Sequence, residues 1–368
     1  MHEALTRTLD AFVAKGIVGA SAAVLLSGAE PIVAASGLAD REKRLPFAPD
    51  NLSKVGSCTK TFVAAMLVRL IADGLVDPDA PVARWFPTLP KSHRITVRHL
   101  INHRSALPEF EFDMPMAPGR VWTPQEIVDL AFSVRPQGEP GLAFAYSNTG
   151  YVLAGMLVEK LTQDTLAGQI RKRILLPLGL ADTFAAAGEP FPVARLVRGY
   201  YWRPALDPTA VDLPVEKGGE MWKTGAVLGF SDDLQDSTDL FPFSGAYAAG
   251  DIVSTAADLV RFLGALFAGR VVPFQHFGLM TGDRIAAGFP GTRMATSGAG
   301  LFGMRYGGRE VSGHQGSMPG YVTVMAHELR SGVSVALTTN SGSGNRFSFY
   351  AAGLHGVLDD ILTMALGR

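Results

Sequence analysis

Strand signals sit at the two ends of this chain and helical signals fill its middle, and that layout constrains the fold more than any other feature. Near the start, the apolar run from Gly16 to Gly28 closes in the turn-rich Ser27-Gly28-Ala29-Glu30-Pro31. With Ile32–Ser36 behind it, this reads as a hairpin of buried strands. Near the end, Glu310–His314, Tyr321–His327 and Val333–Thr339 read as antiparallel strands joined by turns. Between these ends the apolar period is helical near 96–103, 124–132 and 149–161, and again from Thr255 to Phe267. Amphipathic helices are expected over 2–15 and 348–366. Strands so far apart in sequence bury a common face by pairing with one another. One antiparallel sheet built from both termini is therefore expected, flanked by helices, with a mostly helical subdomain: an α/β (α+β) architecture. The chain reads as a single unit, with the sheet in 1–55 and 248–368 and the helical part in 56–247. From about 184 to 247 periodicity weakens, which suggests long loops over a cleft.

Within the middle section, Ser57-Cys58-Thr59-Lys60 opens a helical pattern carried by Phe62, Val63, Met66, Leu67, Leu70 and Ile71 and stopped at Gly74. Residues three apart share a helical face, so Lys60 stacks one turn beyond Ser57. Ser57 itself falls at the helix N-terminus, where unpaired N–H groups and the dipole favour negative charge. A hydroxyl beside an amine in that setting is the arrangement of an activated nucleophile. Tyr146-Ser147-Asn148 precedes the next helical pattern and offers a phenol to move a proton and a carboxamide to hold an amide. Gly313-His314-Gln315-Gly316-Ser317 ends an expected strand, with Gly316 placed for close backbone approach of a substrate.

Composition sets the limits on partners. A formal net charge of −1, 47% hydrophobic and 18% charged residues describe an ordinary globular protein. Nothing is basic enough for nucleic acid, and no polybasic run suggests a membrane surface. Gly16–Gly28 is too short to span a bilayer. The lone Cys58 leaves no intramolecular disulfide, and Met1-His2-Glu3-Ala4-Leu5-Thr6-Arg7 lacks the cationic start of a signal peptide, which together favour the cytoplasm. The expected partner is a small-molecule substrate, with no nucleic acid and no membrane.

Taken in order, Ser57-x-x-Lys60, Tyr146-x-Asn148 and His314-x-Gly316 resemble the signature of the serine β-lactamase and penicillin-binding superfamily. The His-x-Gly form is similar to the branch that holds class C-like esterases, D-aminopeptidases and D-amino-acid amidases. Segments such as Gly74-Leu75-Val76-Asp77-Pro78, Pro177-Leu178-Gly179-Leu180 and Ala249-Gly250-Asp251-Ile252-Val253-Ser254-Thr255 resemble that family's framework. The stretches from Leu100 to Pro108 and from Tyr146 to Gly155 look most like D-amino-acid amidases. The resemblance implies a β-lactamase-like fold and acyl transfer to Ser57. Lys60, or Tyr146 held as phenolate by Lys60, would take the serine proton, and either base needs a lowered pKa. It also implies an oxyanion held by the backbone N–H groups of Ser57 and Ser317, worth about 3 kcal/mol each, with Asn148 on the substrate amide. His314 stands where the β-lactam-directed enzymes carry lysine, which puts carboxylate recognition in doubt. No metal or organic cofactor is implied.

Other features look like the site and are set aside. Lys223-Thr224-Gly225 spells the lysine form of the third motif but lies in a polar, glycine-rich loop, and Ser343-Gly344-Asn345 follows the third motif in the chain. His99 and His103 have a zinc-like spacing without a third ligand and read as a helix end with local bonding. Cys58 is expected to point into packing. The rings Trp202, Trp222, Phe230, Phe241, Phe243 and Tyr247 would line an apolar pocket or pack the loops onto the body. Glu109, Glu111 and Asp113 would accept a substrate α-amine.

Overall fold

The computed structural model describes residues 1–110, 114, 117–135, 137–204, 230–282, 284–287, 293–342 and 347–367, by backbone alone for 202–204, 230–233 and 347–352. Its centre is one nine-stranded antiparallel sheet. In chain order the strands are β1 (Gly19–Leu25), β2 (Ile32–Asp40), β3 (Leu45–Pro46), β4 (Ile285–Ala286), β5 (Met294–Ser297), β6 (Phe302–Tyr306), β7 (Arg309–Met318), β8 (Tyr321–Glu328) and β9 (Ser334–Thr339). Across the sheet they run β3-β2-β1-β9-β8-β7-β6-β5-β4. The two ends of the chain meet at β1 and β9, where Ala22 pairs with Leu337, so the sheet built from both termini is present as expected. The hairpin β1–β2 places Ala22 opposite Ala34.

Helices cover both faces, because the central strands are apolar on both sides: β8 and β9 are buried along their whole lengths. Helix α1 (His2–Val13) brings Leu5, Leu9 and Phe12 onto one face, beside Leu354, Leu358 and Ile361 of the C-terminal helix (Phe347–Ala365). These meet Ala22, Val24, Val322, Val324 and Leu337. The opposite face, with Ala23, Met325 and Ala336, packs against the helical part. That part includes α2 (Thr59–Ala72), α3 (Val97–Ile101), α4 (Pro124–Val134) and α5 (Asn148–Thr162), joined by α6 (Ala256–Phe267) from beyond the expected bound at 247. Phe62 of α2 stacks on Phe262 of α6 with ring centroids 3.7 Å apart.

Every residue of helix α2 except Arg69 and Ala72 is buried, so it is a core helix whose large apolar side chains each contribute about 2 kcal/mol. Two findings differ from the sequence expectation. Strand β7 runs past its expected end at His314 to Met318, paired residue by residue with β8, so Gln315–Ser317 also lies inside the strand. Its polar and glycine residues masked a strand pattern that the ladder sustains. Strands β4 to β6 and a helix over Phe274–Thr281 were not anticipated, being short and interrupted by turns. Among the described residues, no helix is long and apolar enough to cross a membrane.

Candidate active site

Ser57 sits in a single 3-10 turn, Gly56–Cys58, that leads into α2. From Leu52 to Val68 it is the one residue that is not buried. Gly56 adopts φ +53°, and a Cβ there would lie 2.7 Å from the amide nitrogen of Ser317. A Cβ on Gly316 would lie 2.0 Å from the Val55 carbonyl oxygen and 2.6 Å from the Ser57 amide nitrogen. The two glycines therefore let β7 press against the nucleophile turn, bringing the Ser57 and Ser317 amides side by side. β6 ends opposite Gly313, so this stretch of β7 has the turn, and no strand, along that edge. The close approach expected at Gly316 is thus made by the protein's own backbone.

Lys60 is wholly buried and points back at Ser57. Its Nζ lies 3.0 Å from Ser57 Oγ, 2.6 Å from Asn148 Oδ1 and 2.7 Å from the Ala249 carbonyl oxygen. Asn148 Oδ1 and the Ala249 oxygen can only accept, so they claim two N–H groups. The serine hydroxyl is also within reach: as an ammonium Lys60 can donate to Oγ, and as an amine it can accept the Ser57 proton. Asn148, the first residue of α5, is therefore a ligand of the lysine, and Ala249 is a member of the site that its apolar side chain concealed from sequence reasoning.

Tyr146 is partly buried and lies beside this pair, its ring centre 4.9 Å from Lys60 Nζ. Ser147 caps α5, its hydroxyl accepting from the Gly150 amide at 2.9 Å. Glu109 takes the Asn148 and Phe110 amides at 2.7 and 2.9 Å, so its carboxylate braces the start of α5. Its expected partners in holding an amine, Glu111 and Asp113, lie outside the described residues.

His314 is 1% exposed, so its ring is enclosed by protein. Nδ1 donates to the Gln315 carbonyl oxygen at 2.6 Å, which leaves Nε2 as a bare acceptor with no hydrogen-bond partner among the described residues. Burial, and then the Lys60 charge, push its pKa down to about 3, against the pull of that hydrogen bond. A neutral imidazole offers no cation to a substrate carboxylate. Cys58 is buried, donates to the His314 carbonyl oxygen at 3.6 Å and has its thiol pKa raised by burial, so it packs as expected and is unreactive.

Of the two set-aside histidines, His99 is local: its Nδ1 accepts from Thr96 N at 3.4 Å in the cap of α3. His103 is not, since Ser147 N donates to its Nδ1 at 3.1 Å and its ring stacks on Tyr146. Phe243 lies under Lys54 Nζ at 4.5 Å and edge-on to Phe191, and Tyr247 is buried. These rings pack the chain onto the body. The side chains of Trp202 and Phe230, with Trp222, Lys223-Thr224-Gly225 and Ser343-Gly344-Asn345, lie outside the described residues.

The family model "Beta-lactamase" matches residues 5–358. Among solved structures, D-amino acid amidase from Ochrobactrum anthropi SV3, complexed with D-phenylalanine, superposes with a TM-score of 0.89 at 42% identity over 99% of this chain and 98% of that one. Among curated proteins, penicillin-binding protein 4* of Bacillus subtilis is 28% identical over 78% of this chain and 60% of its own length. Esterase EstB of Burkholderia gladioli is 30% identical over 67% of this chain and 66% of its own. The chain thus spans 60% and 66% of the lengths of these two relatives.

Proposed function

This chain belongs to the beta-lactamase family, and from that premise we propose that it is a serine hydrolase that forms an acyl-enzyme with small amides, D-amino-acid amides first among them. The observation that carries the reading is Lys60 Nζ held by two pure acceptors and 3.0 Å from Ser57 Oγ. Lys60 draws the serine proton as Oγ attacks the carbonyl carbon. The oxyanion forms between the Ser57 and Ser317 amides, which the paired glycines Gly56 and Gly316 bring together. Tyr146 passes a proton to the leaving amine and then takes one from the water that releases the acid. Asn148 keeps Lys60 aimed. The amide choice is supported by the Ochrobactrum anthropi relative, which matches nearly the whole chain at 42% identity. Neutral His314 argues against the penicillin-binding alternative, since no cation there would receive a carboxylate.

An ester-cleaving reading has one relative in its favour, Esterase EstB. The two separate on a panel of D- and L-amino-acid amides and simple acyl esters, with a cephalosporin included. D-Phenylalaninamide is expected to turn over faster than its L-form and faster than any acyl ester, and Ser57→Ala to abolish every rate. Equal rates on the two enantiomers, or faster ester cleavage, moves the assignment to the esterase. Turnover retained in Ser57→Ala removes the nucleophile assignment altogether.

A further inference from the structure

We infer that His103 is a positioning residue for Tyr146, acting as a neutral imidazole that grips three consecutive residues of the 145–147 loop. Its carbonyl oxygen accepts from Ala145 N at 2.8 Å. Its ring stacks on the Tyr146 phenol, with centroids 4.4 Å apart and planes 26° from parallel. Its Nδ1 accepts from Ser147 N at 3.1 Å. The residue before the tyrosine, the tyrosine ring and the residue after it are thus all tied to one side chain and its own backbone. His103 itself holds φ +59°, a left-handed conformation that costs a non-glycine residue about 1 kcal/mol or more and persists where surroundings over-determine it.

The grip works in one charge state. Ser147 N–H needs a bare Nδ1, so the single imidazole proton sits on Nε2, a buried atom with no hydrogen-bond partner among the described residues. An imidazolium would set N–H against N–H and release the loop. The groups that face the ring keep it neutral. Burial comes first, and the Lys60 charge from α2 adds to it; His314 from β7 faces the ring as a second, neutral imidazole. Tyr151 of α5, Phe302 of β6 and Phe144 complete an aromatic shell around it. Phenylalanine would keep the stack without the acceptor, and asparagine would keep an acceptor and tolerate the backbone without the stack. Only histidine supplies both, and what it gives the reaction is a phenol fixed beside Lys60.

This inference rests on the serine-hydrolase reading and is tested through Tyr146. In His103→Asn, kcat on D-phenylalaninamide is expected to fall at least about tenfold, with KM within about threefold, because the damage is to a proton-transfer group and not to binding. In a Tyr146→Phe background the same substitution should change kcat by less than about twofold, since its target is gone. Equal fold-losses in both backgrounds would mean that His103 is only structural and would overturn the inference, while leaving the Ser57 assignment untouched. His103→Phe repeats the cycle where the asparagine variant does not fold. The unmodified protein gives an independent reading: nitrogen-15 histidine spectra should show His103 still as the neutral Nε2–H tautomer where a free imidazole is already protonated. An Nδ1–H tautomer, or titration near the ordinary histidine value, overturns it without any variant.

Discussion

Two buried lysines flank Ser57, and only one of them is built to take a proton from it. Lys54 belongs to the short strand Ser53–Lys54, whose partner is Ile252–Ser254. Its Nζ donates to the carbonyl oxygens of Thr238 and Phe241 at 2.6 and 3.5 Å and rests over the Phe243 ring. Burial brings its pKa down to about 8, although Asp239 and Asp236 pull the other way. Lys60 shares the burial and the two carbonyl-type acceptors, but it also reaches the Ser57 hydroxyl. The difference teaches that desolvation alone makes an unusual lysine, not a catalytic one. Lys54 ties the 238–241 backbone to the body; Lys60 ties itself to the nucleophile.

The sharpest way to break this contrast is to remove each lysine. Lys60→Ala and Tyr146→Phe are each expected to lower kcat by about a thousandfold or more. The double variant should lose little beyond either, because members of one proton relay act as a unit. Fully multiplicative losses would place the two in separate steps. Lys54→Met should keep kcat within about tenfold of wild type, and a collapse matching that of Lys60→Ala would end the distinction.

The second effect is on stability, and its sign follows from the depressed pKa. The unfolded chain holds the Lys54 proton up to about pH 10.5, the folded chain only to about 8. Between those values the unfolded state binds more protons, so stability rises with pH; below pH 8 the cost of a buried ammonium is present in full. Urea unfolding of wild type against Lys54→Met should therefore diverge in favour of wild type from pH 8 to pH 10, by up to about 3 kcal/mol. A difference that does not change with pH would mean that Lys54 carries no buried charge in the folded protein.

What could be read from the sequence follows the same division between local pattern and tertiary neighbour. Ser57 and Lys60 were legible because helical spacing alone stacks them; Asn148 was picked out as a carboxamide for a substrate amide, and its contact with Lys60 across the fold was not foreseen. The sheet was legible through its β-branched and apolar runs at both ends. Ala249 was not, since its contribution is a carbonyl oxygen and any residue has one. His103 was misread as a local helix-end histidine, because its partner Ser147 lies across the fold and no spacing rule links the two. Gly316 was seen as a point of close approach, but which backbone approaches it depends on where the Ser57 turn docks. The edge strand β4 and its neighbour β5, too short to show a period, were also missed.

The smallest expected effect belongs to a third lysine, Lys223, whose Lys223-Thr224-Gly225 spells the motif that β-lactam-directed enzymes place on the strand beside the nucleophile. That strand position is occupied here by β7, where Gly316 abuts the Ser57 amide and Ser317 abuts Gly56. Lys223-Thr224-Gly225 lies outside the described residues, and motif spelling without its structural context is a weak guide. Lys223→Ala should change kcat/KM on D-phenylalaninamide by less than about tenfold and leave the cephalosporin rate at background. Loss of all turnover in that variant, with His314→Ala still active, would hand the third motif to Lys223 and make the neutral imidazole of His314 a purely structural buttress.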